Sequence, residues 1–336
     1  MSVEPRRPSR RQVLKGAVVL GGLGTLATVG GVAVWHWTGS PEGTPVPPLA
    51  PGERPSLEAL ADAVTAGGTG KDGIPSIDRP RFVPAGDASF LGDDQPVFGL
   101  IHRGEVRAYP QLVLVWHEIV NDTVAGERLT VTYCPLTGTV IGFTGVPGGP
   151  ELTFGTTGNL VNSNLLMYDR QTNSEWPQIL GTAIRGRHKG RRLGTVPLVW
   201  STWKAWREKH PDTQVLSTNT GSLRRYGSDP YGSYPGRSGY YFEGGPFFPV
   251  LVSDGRFPPK DIVIGVRGGA ATVAVHRDLV RREKSVPVSL AGERLSVVWD
   301  ETLETARVVG GEGRVDALDA MWFSWYAFYP DTEVLR

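Results

Sequence analysis

Cys134 is the single cysteine of this chain, in the string Tyr133-Cys134-Pro135-Leu136-Thr137-Gly138. The chain partly repeats itself around this residue without repeating it. Ala125-Gly126-Glu127-Arg128-Leu129 recurs as Ala291-Gly292-Glu293-Arg294-Leu295, and at the same 166-residue offset Phe98-Gly99-Leu100 aligns with Ile264-Gly265-Val266. Asp300 then stands where Cys134 does, and Glu283 stands where His117 does. A residue that only holds a scaffold together is wanted in both copies. Cys134 and His117 are therefore the first candidates for chemistry.

Three readings of that pair are open. In the first, the Cys134 thiolate, the His117 imidazole and the Met167 thioether ligate copper or another soft metal. No compact Cys-His-Met loop is present, and the Cys and His needed for a closed zinc site are missing. In the second, Cys134 is the nucleophile of a thiol hydrolase or transferase of the cell envelope, with His117 as base. Glu118, Asp122 or Asn121 would orient the base, and amides of the Pro-Leu-Thr-Gly turn would hold an oxyanion. In the third, Cys134 is a small buried hydrophobe at a strand end. A metal or small cofactor at a Cys/His site leads. Asn162, Asn164, Asp169 and Tyr231 are candidate cofactor contacts, because Asn159, Asn162 and Asn164 alternate as one face of an extended segment would. Asp169 and Arg170 read as an ion pair or a turn. A non-catalytic interaction module using the aromatic stretch 226–248 is a further alternative.

These residues must be positioned by strands. Val97–Ile101, Val106–Tyr109, Leu129–Tyr133 and Thr139–Phe143 carry strand patterns, with turn residues at Arg103-Gly104. Leu57–Val64 and Leu112–Val120 read as short helices. Trp203-x-x-Trp206 precedes Pro211-Asp212-Thr213, and Trp322-x-x-Trp325 precedes Pro330-Asp331-Thr332. In each case two Trp share a helical face as core packing, and a Pro stops the helix. The second offset is 119 residues, so copy one holds an insertion within about 144–197. The expected fold is mainly β (α+β), two unequal β-rich repeats with short helices. The expected domains are a signal or anchor (1–37), a Pro/Gly-rich linker with a short helix (38–79), an enlarged first repeat plus aromatic loop carrying the site (80–254), and a degenerate second repeat (255–336).

Several ordered motifs together resemble a known family. They are Trp116-His117-Glu118-Ile119-Val120-Asn121-Asp122, Val131–Leu136, Asn162–Arg170, the Trp203/Trp206 helix with Pro211-Asp212-Thr213, and Asp229-Pro230-Tyr231. Over roughly residues 80–280 the chain resembles the exported, uncharacterised family called domain of unknown function 3179. The resemblance implies export and carries no mechanism. Similar members commonly read Cys-Pro-Leu-Cys where this chain has Thr137 in the second position. A single thiol cannot cycle to an internal disulfide, which counts against dithiol redox chemistry.

The N-terminus points to the same compartment. Ser9-Arg10-Arg11-Gln12-Val13-Leu14-Lys15 fits a twin-arginine signal, and an apolar run from Gly16 to Val34 follows it. The run has room for cleavage after Ala33, and it is also long enough to remain as a membrane anchor with Trp35 and Trp37 at the interface. The twin-arginine export machinery is thus one expected partner, and the membrane is another if the segment is uncleaved. The net charge is +1 over 336 residues, and no basic face suggests nucleic acid. His36, His102, His188 and His276 read as peripheral. His210, at a helix end, reads as an imidazolium favoured by the helix dipole.

Overall fold

In the computed structural model, strand hairpins set the architecture. It describes residues 49–336 apart from 51 and 312, together with the backbone of a strand pair at Thr28–Val29 and Val32–Ala33. The twin-arginine string and most of the apolar run lie outside the described residues. Among the described residues no helix is long and apolar enough to cross a membrane.

The protein is mainly β, with five small sheets in a propeller-like arrangement. Tight turns at Arg103-Gly104, Ala125-Gly126 and Ala291-Gly292 have positive φ at both central residues. That is the type I′ geometry whose twist matches the flanking strands. One sheet runs Val199–Thr202, Pro96–His102, Glu105–Pro110, Gln214–Leu216, with Phe82–Pro84 at its edge. Another runs Asp316–Met321, Ile262–Gly268, Ala271–His276, Glu333–Leu335. Gln214–Leu216 in the first and Glu333–Leu335 in the second join their neighbours Glu105–Pro110 and Ala271–His276 in parallel, each after a helix: Trp203–Lys209 and Trp322–Phe328.

The two Trp pairs are core, as their spacing predicts. All four rings are at most 1% exposed. Trp206 lies over Gly99, where a Cβ would come within 2.1 Å of the ring, and Trp325 lies over Gly265 at 2.2 Å. Each indole N–H donates to a threonine seven residues on, Trp206 to Thr213 and Trp325 to Thr332, both at 3.1 Å.

Two meanders complete the pattern. Ile119–Val124, Glu127–Cys134 and Thr139–Gly145 form one, with Gly194–Val196 added at its edge, and Ser285–Leu290, Glu293–Asp300 and Thr305–Val309 form the other. The fifth sheet is built from Phe154–Val161, Asn164–Asp169 and Glu175–Pro177, with Thr65–Ala66 at its edge.

Two expectations are corrected. The helix predicted over Leu112–Val120 is only Gln111–Leu114, because Glu118 takes a left-handed φ of 57° and the chain enters a strand at Ile119. Asn162 and Ser163 form a hairpin turn, with φ of 51° and 61°, so Asn159, Asn162 and Asn164 do not share an extended face. The short helix expected from Leu57 is present. Ser56 caps the helix Leu57–Asp62, which buries Leu60, and Ile77 bridges Val120.

Candidate functional site

Cys134 ends the strand Glu127–Cys134 and is fully buried. Side chains alternate across a strand. Cys134 therefore packs into the apolar cluster holding Ile119, Leu136, Leu165 and Met167, while Tyr133 faces the cluster of Phe98 and Tyr109. The Leu165 amide donates to Sγ at 3.4 Å. Burial and the nearby Glu118 carboxyl push the thiol up to about 12, although the Thr137 hydroxyl and the Leu165 and Leu136 amides favour the thiolate. A nucleophilic cysteine has the opposite character, a lowered pKa and partial exposure.

His117 does not join Cys134. Its Nδ1 lies 2.7 Å from the Pro75 carbonyl, which only accepts, so Nδ1 carries the proton. In the neutral ring Nε2 then accepts from the Tyr226 hydroxyl, at 2.7 Å. Both nitrogens are taken, and among the described residues no hydrogen bond links His117 to Cys134. Tyr226 packs on the cluster of Tyr109 and Tyr133, not on that of Cys134. Burial also pulls the His117 pKa below its usual value, which keeps the ring neutral.

The other candidates are engaged internally. Asn162 donates to the Ala327 carbonyl and accepts from the Leu251 amide. Asn164 donates to Thr137 and Gln178 and accepts from the Ile179 amide. Asp169 accepts from Thr172 and from the Trp176 indole, while Arg170 pairs with Asp78 instead of Asp169. Met167 is fully buried in the same cluster as Cys134. His210 packs on Trp206 at 4.4 Å, and burial lowers its pKa, so it is no helix-capping imidazolium. Among the described residues no three His, Cys, Asp or Glu side chains converge as a metal site.

Glu118 is the residue that sequence reasoning undervalued. It is 6% exposed, and burial alone lifts its pKa to about 8. Its carboxyl makes no hydrogen bond or ion pair among the described residues. Its backbone is tied on both sides, the amide to Leu114 O and the carbonyl to Tyr133 N, both at 2.7 Å. The field of Glu118 reaches Cys134, and both reach Tyr231, whose ionisation is suppressed first by burial and then by these two groups. The arrangement is a buried thiol, a buried carboxyl and a phenol, each raising the energy of ionising its neighbours. A loop spanning 226–248 covers it with stacked aromatic rings, including Tyr234 on Tyr241 at 4.0 Å. The signal for Glu118 lay in the sequence: at the 166-residue offset its counterpart is Lys284.

Residues 71–313 match the family model described as protein of unknown function DUF3179, and the chain belongs to that family. No curated protein and no solved structure matches it.

Proposed function

We propose that this member of the family binds a thiophilic metal ion, or a small cofactor of equivalent chemistry, through Cys134 and Glu118 beneath Tyr231. The observation that carries the reading is the Glu118 carboxyl, on a residue only 6% exposed, with no hydrogen-bond partner among the described residues and a pKa that burial raises to about 8. A buried polar group left unpaired costs about 1–3 kcal/mol, and more when charged. A bound cation removes that cost and draws the protons off both the carboxyl and the thiol. A thiolate beside a carboxylate suits borderline ions such as zinc or copper. Glu118 takes the ligand role that the sequence assigned to His117.

The same reading treats the chain as two unequal copies of one unit, of which the first carries the site. It is supported by the shared strand order of the two helix-bearing sheets and by the repeated Gly–Trp and Trp–Thr contacts. In the second copy the thiol is replaced by Asp300, which caps the Thr302 and Leu303 amides at 3.0 Å and pairs with Lys209 and Arg307. That position there is structural.

Metal content by mass spectrometry tests the binding. Wild type isolated through its native route should hold close to one ion, and Cys134→Ser and Glu118→Gln should both lose it. Metal-free wild type that also shows no stabilisation by added zinc or copper overturns the reading.

We propose further that the folded protein leaves the cytoplasm by the twin-arginine machinery and stays at the outer face of the membrane or is released. The support is the Ser9–Lys15 string. Replacing Arg10 and Arg11 with Lys should retain the protein in the cytoplasm, and unchanged export would refute the route.

A further inference from the structure

A second polar site lies at the tyrosine cluster. A cleft of about 270 Å³ opens between the start of the helix Gln111–Leu114 and the loop 227–235, with Leu112, Ser228, Asp229, Ser233 and Tyr234 in its wall. This is near the small end of ligand pockets, roughly 300–1,000 Å³. It is far more room than a bare ion needs.

The orientation of Gln111 follows from its neighbour. Asp229 Oδ2 accepts from Gln111 Nε2 and from the Tyr241 hydroxyl, each at 2.7 Å, and Oδ1 accepts from the Tyr231 amide at 2.8 Å. A carboxylate only accepts, so Gln111 must turn its NH₂ toward it. The two further contacts of Nε2 are phenols, Tyr133 at 3.3 Å and Tyr241 at 3.2 Å. Oε1 is left as an acceptor with no partner among the described residues. Yet the Gln111 side chain is 2% exposed and lines the cleft. A donor to Oε1 must therefore come from whatever occupies the cleft, water included.

Charge narrows the class. Asp229 is the one formally charged residue in the lining, and it forms no ion pair among the described residues. Its partners there are neutral N–H and O–H groups, which leave its negative charge uncancelled. A ligand that both donates to Gln111 Oε1 and neutralises Asp229 is a nitrogen cation. We infer that the cleft between Gln111 and Asp229 binds a small organic molecule bearing a primary ammonium group. This site is independent of the one proposed at Cys134 and Glu118.

Glucosamine and glucose are suitable probes, since they share a ring and differ in one amine. Calorimetric titration of the full chain should give saturable binding of glucosamine, with glucose at least about tenfold weaker, the size expected of a hydrogen bond to a charged group. Asp229→Asn should erase the preference. Leu112→Trp, which fills the cleft without touching the Asp229 network, should abolish binding while circular dichroism stays unchanged. Equal affinity for the two sugars, no saturable binding of glucosamine at tens of millimolar, or undiminished binding in Leu112→Trp would each overturn the inference.

Discussion

Glu118 and Lys284 stand 166 residues apart and share a left-handed backbone, with φ of 57° and 62°. Each directly precedes the first strand of its meander. Only the side chains part company. Glu118 is buried without a side-chain partner among the described residues, whereas the Lys284 side chain is 57% exposed and pairs with Glu301. The unusual φ therefore belongs to the turn and says nothing of function. The information is in the carboxyl, and it makes stability depend on pH. The native state holds the Glu118 proton up to about pH 8, while an unfolded chain releases it near 4.5. Between those values the native state binds the extra proton, so stability must fall as pH rises, by at most ~1.4 kcal/mol per unit. Below that window both states are protonated, and above it both are ionised, so the contribution is flat. Thermal unfolding of metal-free protein between pH 5 and 9 should show the decline, and Glu118→Gln should remove it. Superimposable pH profiles for the two proteins would refute the assignment.

The thiol leads to a second expectation. Cys134 is fully buried and its pKa is pushed up to about 12, so little thiolate exists at neutral pH. Alkylating reagents should leave the folded protein unmodified for hours and label it at once in denaturant. Fast, selective labelling of the folded protein would restore the thiol-enzyme reading, which the geometry now disfavours.

What the sequence revealed depended on how local the signal was. Strands over Val97–Ile101 and Leu129–Tyr133 were readable from alternation, and the Trp pairs from a three-residue spacing. The helix over Leu112–Val120 was overread, because nothing in its apolar pattern announces the left-handed Glu118. Asn162 and Asn164 fit an extended face equally well as they fit the ends of a hairpin turn, and only pairing of Phe154–Val161 with Asn164–Asp169 decides it. Cys134 emerged because its counterpart is Asp300. His117 passed the same test against Glu283 yet serves a structural bond, since a difference at one sequence offset does not say what a residue does.

The Gly–Trp contacts give a stability test at two distant places. A methyl group on Gly99 would meet the Trp206 ring at 2.1 Å, and one on Gly265 would meet Trp325 at 2.2 Å. Neither indole can slide away, because each N–H is bonded to a threonine. Gly99→Ala and Gly265→Ala should each lower the unfolding free energy measured in urea by a similar amount, about 1–3 kcal/mol from overpacking. A change below ~0.5 kcal/mol in either would show that the helix shifts freely.

The sharpest comparison is between His117 and Glu118, adjacent in sequence and opposite in expected behaviour. His117→Ala removes a donor to Pro75 O and an acceptor for the Tyr226 hydroxyl. It should cost about 1 kcal/mol, because the partly buried Pro75 carbonyl loses its donor while the Tyr226 hydroxyl keeps its bond to Thr220. The native ring is kept neutral, so its share of stability is present above the ordinary histidine pKa of 6.5 and is lost as pH falls through the lowered value. His117→Ala should therefore flatten the acidic limb of the stability profile, and Glu118→Gln the limb from 4.5 to about 8. Metal content should divide them in the same way: retained in folded His117→Ala, absent in Glu118→Gln. Loss of metal in His117→Ala with retention in Glu118→Gln would return the ligand role to the imidazole and require His117 to give up its bond to Tyr226.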